Sequence, residues 1–153
     1  MKWVIMTAAG YAAAKQELKQ LREKRPGAVS ELQTARALGD LSENGAYRAA
    51  RWRLSGIDRR LRQLERILKT ARLPQTRSAS TVQVGFSVTV VNDNNQAQEF
   101  HLVGDYEADP LNNKISYRSP VGRALLGQRV GETVSVDLPS GKFTYQIIKI
   151  KPS

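Results

Sequence analysis

Two carboxylates, Asp40 and Glu43, stand three residues apart in the stretch ALGDLSENGAYR, between segments that read as helices. On a rigid turn such a pair can aim at one hard cation, because Mg²⁺ takes oxygen ligands and keeps several waters when only one or two carboxylates hold it. The same residues also have a plainer chemistry, with Ser42 or Asp40 as the N-cap of the following helix and Glu43 near the positive end of its dipole. Local sequence leaves both readings open. Few other residues offer chemistry. His101 is the single histidine, and its place in an alternating segment fits packing or a surface role rather than metal ligation. No cysteine is present, so thiolate ligands, disulfides and a cysteine nucleophile are excluded, and no P-loop, dinucleotide fingerprint or Ser/His/Asp set can be assembled.

The cations are the second chemical feature. Residues 1–75 hold 16 Lys and Arg against 7 Asp and Glu, and residues 76–153 hold 8 against 7, recovering the totals of 24 and 14. The formal net charge of +10 therefore belongs to the first half, and it points to a polyanionic partner, nucleic acid or a nucleoprotein machine. Between Arg48 and Arg72 only Asp58 and Glu65 dilute nine cations, eight of them Arg, which suits bidentate contact with phosphates. Arg48, Arg51, Arg59, Arg62, Arg66 and Lys69 fall together on a helical wheel, away from its apolar seam. The bland alternative is a solvated outer face. Like charges at i,i+3 and i,i+4 weaken an isolated helix slightly, and a phosphate-lined or acidic partner would offset that. Trp52 reads as packing beside the seam rather than as a platform for base stacking.

Two helices must position these groups. Thr7 can cap a first helix that runs through AAGYAAAKQELKQLREK, breaks or kinks at Arg25 and Pro26, continues with Val29, Leu32 and Ala35 on one face, and stops at Gly39. The second helix, residues 44–71, carries Leu54, Ile57, Leu61, Leu64 and Leu68 at spacings of 3, 4, 3 and 4, the seam of a two-helix coiled coil. A short turn folds the two into an antiparallel hairpin. After the linker LPQTRSAST the pattern changes to alternation: VQVG, SVTVVND, EFHLVG, KISYRS, TVSVDL and FTYQIIKI read as strands, and SPVGRALLG as one short helix. The fold class is α+β, a helical arm followed by a small β-rich domain. The sequence divides into an arm over residues 1–75 with its tip at 39–44, a linker at 76–81 and the β domain at 82–153. No apolar run approaches the ~20 residues that span a bilayer, and the stretch 3–6 is too short for the core of a signal peptide. A cytoplasmic protein with no membrane partner is expected, and a monomer, because the hairpin pairs its own seam.

Thr7 with Gly10, then LQTARALGDLSENGAYRAAR, then LVGDYEADPLNNKISYRSPVGRALLGQRVGETVSVDLPSG, together resemble the signature segments of the bacterial Gre transcript-cleavage factors, GreA and GreB. The resemblance runs over nearly the whole chain, and GDLSEN and ISxxSPxxRALLGxxxG are specific in combination. IDRRLRQL and the basic outer face lean towards the GreB type. The resemblance implies an FKBP-like second domain that docks on the rim of the secondary channel of RNA polymerase, while the coiled coil passes through the channel. It implies that Asp40 and Glu43 match the essential acidic pair, which helps hold a second Mg²⁺ shared with the polymerase; the protein itself brings no cofactor and no nuclease centre. The polymerase then cleaves the nascent RNA of a backtracked complex. Arg48, Arg51, Arg59, Arg62 and Arg66 would lie near extruded RNA. Asp105, Glu107, Asp109, Ser119 and Pro120 match segments around the rim contact, with turn and helix-cap chemistry as the alternative for all five.

The chain departs from the pattern at one informative place. The family usually carries an acidic residue just before the tip tyrosine, as in ENAEY, where this chain has Gly45, Ala46 and Tyr47. One negative charge near the ion is missing, and Gly45 weakens the first helical turn by about 1 kcal/mol relative to alanine. A second reading therefore stands beside cleavage stimulation: a regulator that occupies the channel without promoting cleavage. A third is a coiled-coil module that binds DNA or RNA with no polymerase, for which the basic stripe alone suffices. Tyr47 itself fits either a contact near the RNA end or a buried aromatic at the hairpin tip.

Overall fold

Thr7 begins the first long helix as its side chain predicts. Its hydroxyl accepts from the Gly10 amide at 3.0 Å, satisfying a donor that the first turn leaves without a helical partner. The computed structural model describes residues 3–39, 44–74 and 80–152. It places α1 at Ala8–Arg36 and α2 at Gly45–Thr70. By contacts the chain forms two units, Tyr11–Thr70 and Met1–Gly10 with Ala71–Ser153. The opening residues thus group with the sheet domain, although the sequence division counts them with the arm.

α1 is continuous through Arg25 and Pro26, where the sequence suggests a break or kink. Pro26 leaves the Arg22 carbonyl without its helical donor, but the inward stripe carries on across it. Tyr11, Leu18, Leu21 and Leu32 are half-buried and Ala14, Ala28 and Ala35 buried. Those positions recur at 3 and 4 with one vacancy in the pattern, at Arg25. That guanidinium is bonded to Asp58 of α2, Nε to Oδ1 at 2.6 Å and Nη2 to Oδ2 at 3.3 Å, and the contact holds the Asp58 carboxyl below its ordinary range. On α2 the predicted seam is inward, with Leu61 and Leu64 buried and Leu54, Ile57 and Leu68 half-buried; Ile67, which the sequence reading passes over, is buried too.

The helices are antiparallel. Glu17 meets Arg60, Arg25 meets Asp58, Glu31 meets Arg53 and the Ala35 carbonyl meets Asn44, so numbers rise along one helix as they fall along the other. Arg60 grips Glu17 with both ends of its fork, Nε to Oε1 at 2.6 Å and Nη2 to Oε2 at 2.8 Å. Hydrogen bonding to Arg60 is the main reason the Glu17 carboxyl sits below its usual range. A carboxyl lowered on folding stabilises above its unfolded value, and the benefit is lost as pH falls through the folded value. Glu17→Gln is therefore expected to weaken the arm at neutral pH by a few tenths to about 1 kcal/mol, the scale of half-exposed pairs. Urea titrations should show the difference between variant and parent closing in the acid range.

In the sheet domain, β1 (Val4–Ile5) pairs parallel with β2 (Ala71–Arg72), an interaction across most of the first half of the chain that the sequence does not announce. The main sheet contains β3 (Phe86–Val91), β4 (Ala97–Val103), β5 (Lys114–Ser116), β6 (Thr133–Leu138) and β7 (Gly141–Pro152) in the order β5-β4-β3-β7-β6. Neighbours are antiparallel except β4 with β5. The short helix α3 (Pro120–Leu125) contributes Leu125 to a core with Val88, Val90, Leu102 and Ile147. Phe100 and Tyr145 meet edge to face at 5.8 Å within it. VQVG is not a strand. Val82 and Val84 are buried, but Val82 exchanges backbone bonds with Gly127 and Gln128 at the end of α3, and Gly85 turns the chain with φ +93°.

Candidate functional site

The arm's two helices converge on the acidic stretch, and both of its described flanks have defined chemistry. Gly39 ends the first helical segment with φ +117°, a conformation that a side chain would strain. Asn44 opens the second. Its Oδ1 accepts from the Tyr47 amide at 3.0 Å and its carbonyl from the Arg48 amide at 3.1 Å, which makes it the N-cap of α2. Its Nδ2 donates at 2.7 Å to the carbonyl of Ala35, one of the acceptors that the end of α1 leaves over. One side chain thus satisfies the start of one helix and the end of the other. Sequence alone also offers Ser42 or Asp40 as a cap here. Asp40, Ser42 and Glu43 lie outside the described residues, as do 75–79 of the linker region.

Removing the Asn44 side chain orphans the Tyr47 amide and leaves the Ala35 carbonyl with the Leu38 amide alone, at 3.2 Å. Asn44→Ala is expected to cost the arm about 1–2 kcal/mol, the upper part of the range for cap deletions, and Asn44→Asp less, because only the bond to Ala35 is lost. Helical circular dichroism against urea measures both.

The cations of α2 sort into two groups. Arg53 and Arg60 pair with α1 through Glu31 and Glu17. Arg48, Arg51, Arg59, Arg62, Arg66 and Lys69, the residues gathered on the helical wheel, are all exposed, and none makes an ion pair with a described carboxylate. Arg62 is near enough to Asp58 to help hold that carboxyl low, behind Arg25. Trp52 contradicts its expected place beside the seam: it is 79% exposed on the outer side of α2. Tyr47, by contrast, lies on the seam side, half-buried.

The five residues that the resemblance matched to a rim contact take part in the sheet domain's own turns and caps. The Glu107 carboxylate accepts from the Thr7 amide at 2.9 Å, from the Thr7 hydroxyl and from the Gly104 amide at 3.2 Å, so it fastens the start of α1 to the turn after β4. The fastening is close, for a Cβ on Gly104 would overlap the Ile5 carbonyl oxygen. Asp105 accepts from the Ser116 hydroxyl and lies 3.5 Å from the Arg118 guanidinium. Asp109 pairs its backbone with Lys114 and accepts from Asn112 at 2.6 Å. Ser119 caps α3 by accepting from Gly122 at 3.1 Å, with Pro120 as its first residue. Asp105 remains exposed beside Tyr106, and Leu111 is 96% exposed. His101 bonds Ser87 through Nδ1 at 2.7 Å, across the β3–β4 pair. Among the described residues no three carboxylate or histidine groups gather to hold a metal, and no helix is long and apolar enough to cross a membrane.

Comparison with known proteins accounts for nearly all of the chain. Residues 4–73 match the family described as transcription elongation factor, N-terminal, and residues 77–152 match transcription elongation factor, GreA/GreB, C-term. Transcription elongation factor GreA of Thermodesulfovibrio yellowstonii is 44% identical over 149 residues, 95% of this chain and 94% of that protein. Its counterpart in Novosphingobium aromaticivorans is 40% identical over 148 residues, again 95% and 94%. Among solved structures, GreA factor homolog 1 of Thermus thermophilus is 31% identical, covers 98% of this chain and 99% of its own, and superposes with a TM-score of 0.46.

Proposed function

The chain belongs to the GreA/GreB family of transcription elongation factors, and from that premise we propose that it acts on bacterial RNA polymerase as a transcript-cleavage factor. The arm enters the secondary channel, the sheet domain docks on the rim, and Asp40 with Glu43 reaches the polymerase's catalytic centre in a backtracked complex. The observation that supports this reading is the tie between the two helices beside the acidic stretch: Asn44 bonds the Ala35 carbonyl of α1 and the Tyr47 amide of α2 at once. Two carboxylates are the donor set that suits a hard, labile cation. Asp40 and Glu43 would hold the polymerase's second Mg²⁺, which supplies activation of water and offsets charge at the scissile phosphate. Hydrolysis remains the polymerase's own reaction, and this chain contributes positioning. Arg48, Arg51, Arg59, Arg62 and Arg66 lie on one exposed face suited to the extruded RNA.

The test is RNA cleavage in backtracked elongation complexes of the cognate polymerase, with and without the protein at saturating occupancy. Faster cleavage supports the reading. A second reading is favoured by one observation: the first turn of α2 carries no acidic residue, and Ala46 stands where the resemblance leads one to expect the usual carboxylate. Under it the protein occupies the channel and slows synthesis while cleavage stays at its intrinsic rate, and the same assay separates the two.

A further inference from the structure

The basic face of α2 carries a group that phosphate contact does not explain. Trp52 is 79% exposed, yet a tryptophan gains most by burying its large ring surface. Its surroundings on the helix leave the ring accessible. Ala49 and Ser55 at three residues either side are small, and Gly56, one turn on, has nothing within 4 Å of where a Cβ would stand. Arg48 lies one turn before it and Arg59 two turns after it on the same side, both exposed and neither paired with a described carboxylate. The other tryptophan differs: Trp3 has the Arg72 guanidinium stacked on its ring at 3.7 Å, and no described cation covers Trp52.

We propose that Trp52, flanked by Arg48 and Arg59, is a stacking ledge for one base of a single-stranded nucleic acid whose phosphates the two arginines hold. The chemistry fits because every base has a π face, cations hold the backbone without reading sequence, and a ring on a rigid helix loses little freedom on stacking. A duplex hides its base faces, so the ledge prefers single strands. The ledge rests on the proposed function only for its natural ligand, the extruded end of a backtracked RNA. Stacking itself is a property of this chain and needs no polymerase.

The experiment uses the full-length protein with Trp3→Phe, leaving Trp52 as the sole indole, titrated at low salt with a short oligoadenylate RNA, the matching duplex and inorganic polyphosphate. Expected are quenching of Trp52 by the single strand and a loss of affinity in Trp52→Ala of about 5- to 150-fold, the range of about 1–3 kcal/mol per stacked base. The salt slope should stay unchanged because the phosphate contacts remain. Trp52→Phe should recover most of the affinity, and polyphosphate binding should be indifferent to residue 52. Three results overturn the proposal: equal RNA affinity in Trp52→Ala, equal dependence of polyphosphate binding on the ring, or a Trp52 signal that follows protein concentration or added polymerase and not RNA. Failure to stimulate cleavage would sink the functional reading and leave this result standing.

Discussion

Asp40→Asn with Glu43→Gln is expected to leave the protein bound to polymerase while cleavage of backtracked RNA slows by about 100-fold or more relative to the parent. The magnitude follows from the task assigned to the pair. Charge stabilisation at a metal-assisted phosphoryl centre supplies several kcal/mol, and each 1.36 kcal/mol is a factor of ten in rate. The variants are close in shape to the parent residues and change charge. The variants leave Asn44 in place, whose Oδ1 accepts from the Tyr47 amide at the start of α2. Occupancy is checked by competition for the channel and folding by helical circular dichroism, so a lost rate cannot be mistaken for a lost arm. If a carboxylate-held ion is the cause, raising Mg²⁺ should recover part of the variant's rate. A variant that stimulates cleavage as well as the parent would remove the acidic pair from the mechanism.

The division of labour along α2 makes the arm a carrier as well as a pointer. Its inward face is apolar, its flanks send Arg53 and Arg60 back to α1, and its outer face keeps Arg48, Arg51, Arg59, Arg62 and Arg66 exposed. Pairing some cations internally and leaving others out has an electrostatic consequence. The paired ones fix helix register, while the unpaired ones keep a field that draws a polyanion along the rod and weakens with salt. The absence of an acidic residue in the first turn of α2 leaves one negative charge fewer to offset that field beside the tip. The same feature that removes one charge from the proposed ion site therefore strengthens attraction for RNA beside it.

How far the sequence could be read depended on how locally each feature is encoded. The α2 seam was legible because large aliphatic residues mark it at every turn. The matching stripe on α1 was only half visible: its buried positions are largely alanines and Arg25 stands in the row, so hydrophobicity alone does not outline it. Trp52 was misplaced by its residue type, although its position two residues before Leu54 already puts it on the far side of the wheel. Val82 and Val84 alternate like a strand because both are buried, but their backbone surroundings are a turn and the end of α3. The pairing of β1 with β2 and the bonds from Glu107 to Thr7 join segments distant in sequence, and no periodicity reports such contacts. The role proposed for Asp40 and Glu43 rests on family resemblance, since two carboxylates at a helix start have a common structural use as well.

Leu64→Ala is expected to be the most damaging single change in the arm, costing about 2–5 kcal/mol. Leu64 is 1% exposed at the centre of the α2 stripe, and the buried positions of α1 are Ala14, Ala28 and Ala35. A leucine this buried leaves a cavity that its surroundings refill only in part, so a cavity term adds to the lost transfer energy. The sheet domain draws on a separate set of side chains, around Val88, Val90, Leu102, Leu125 and Ile147. The variant should thus lose helical signal about 10 °C or more before the parent does, while the environment of Tyr145, followed by near-ultraviolet circular dichroism, keeps its transition. In the cleavage assay this predicts a temperature at which the variant competes weakly for polymerase through its folded sheet domain and gives no stimulation, a behaviour distinct from that of the charge variant, which retains the arm. Simultaneous loss of both signals would mean that the two units unfold as one, and the arm's contribution to function could then be isolated only through the tip and the outer face.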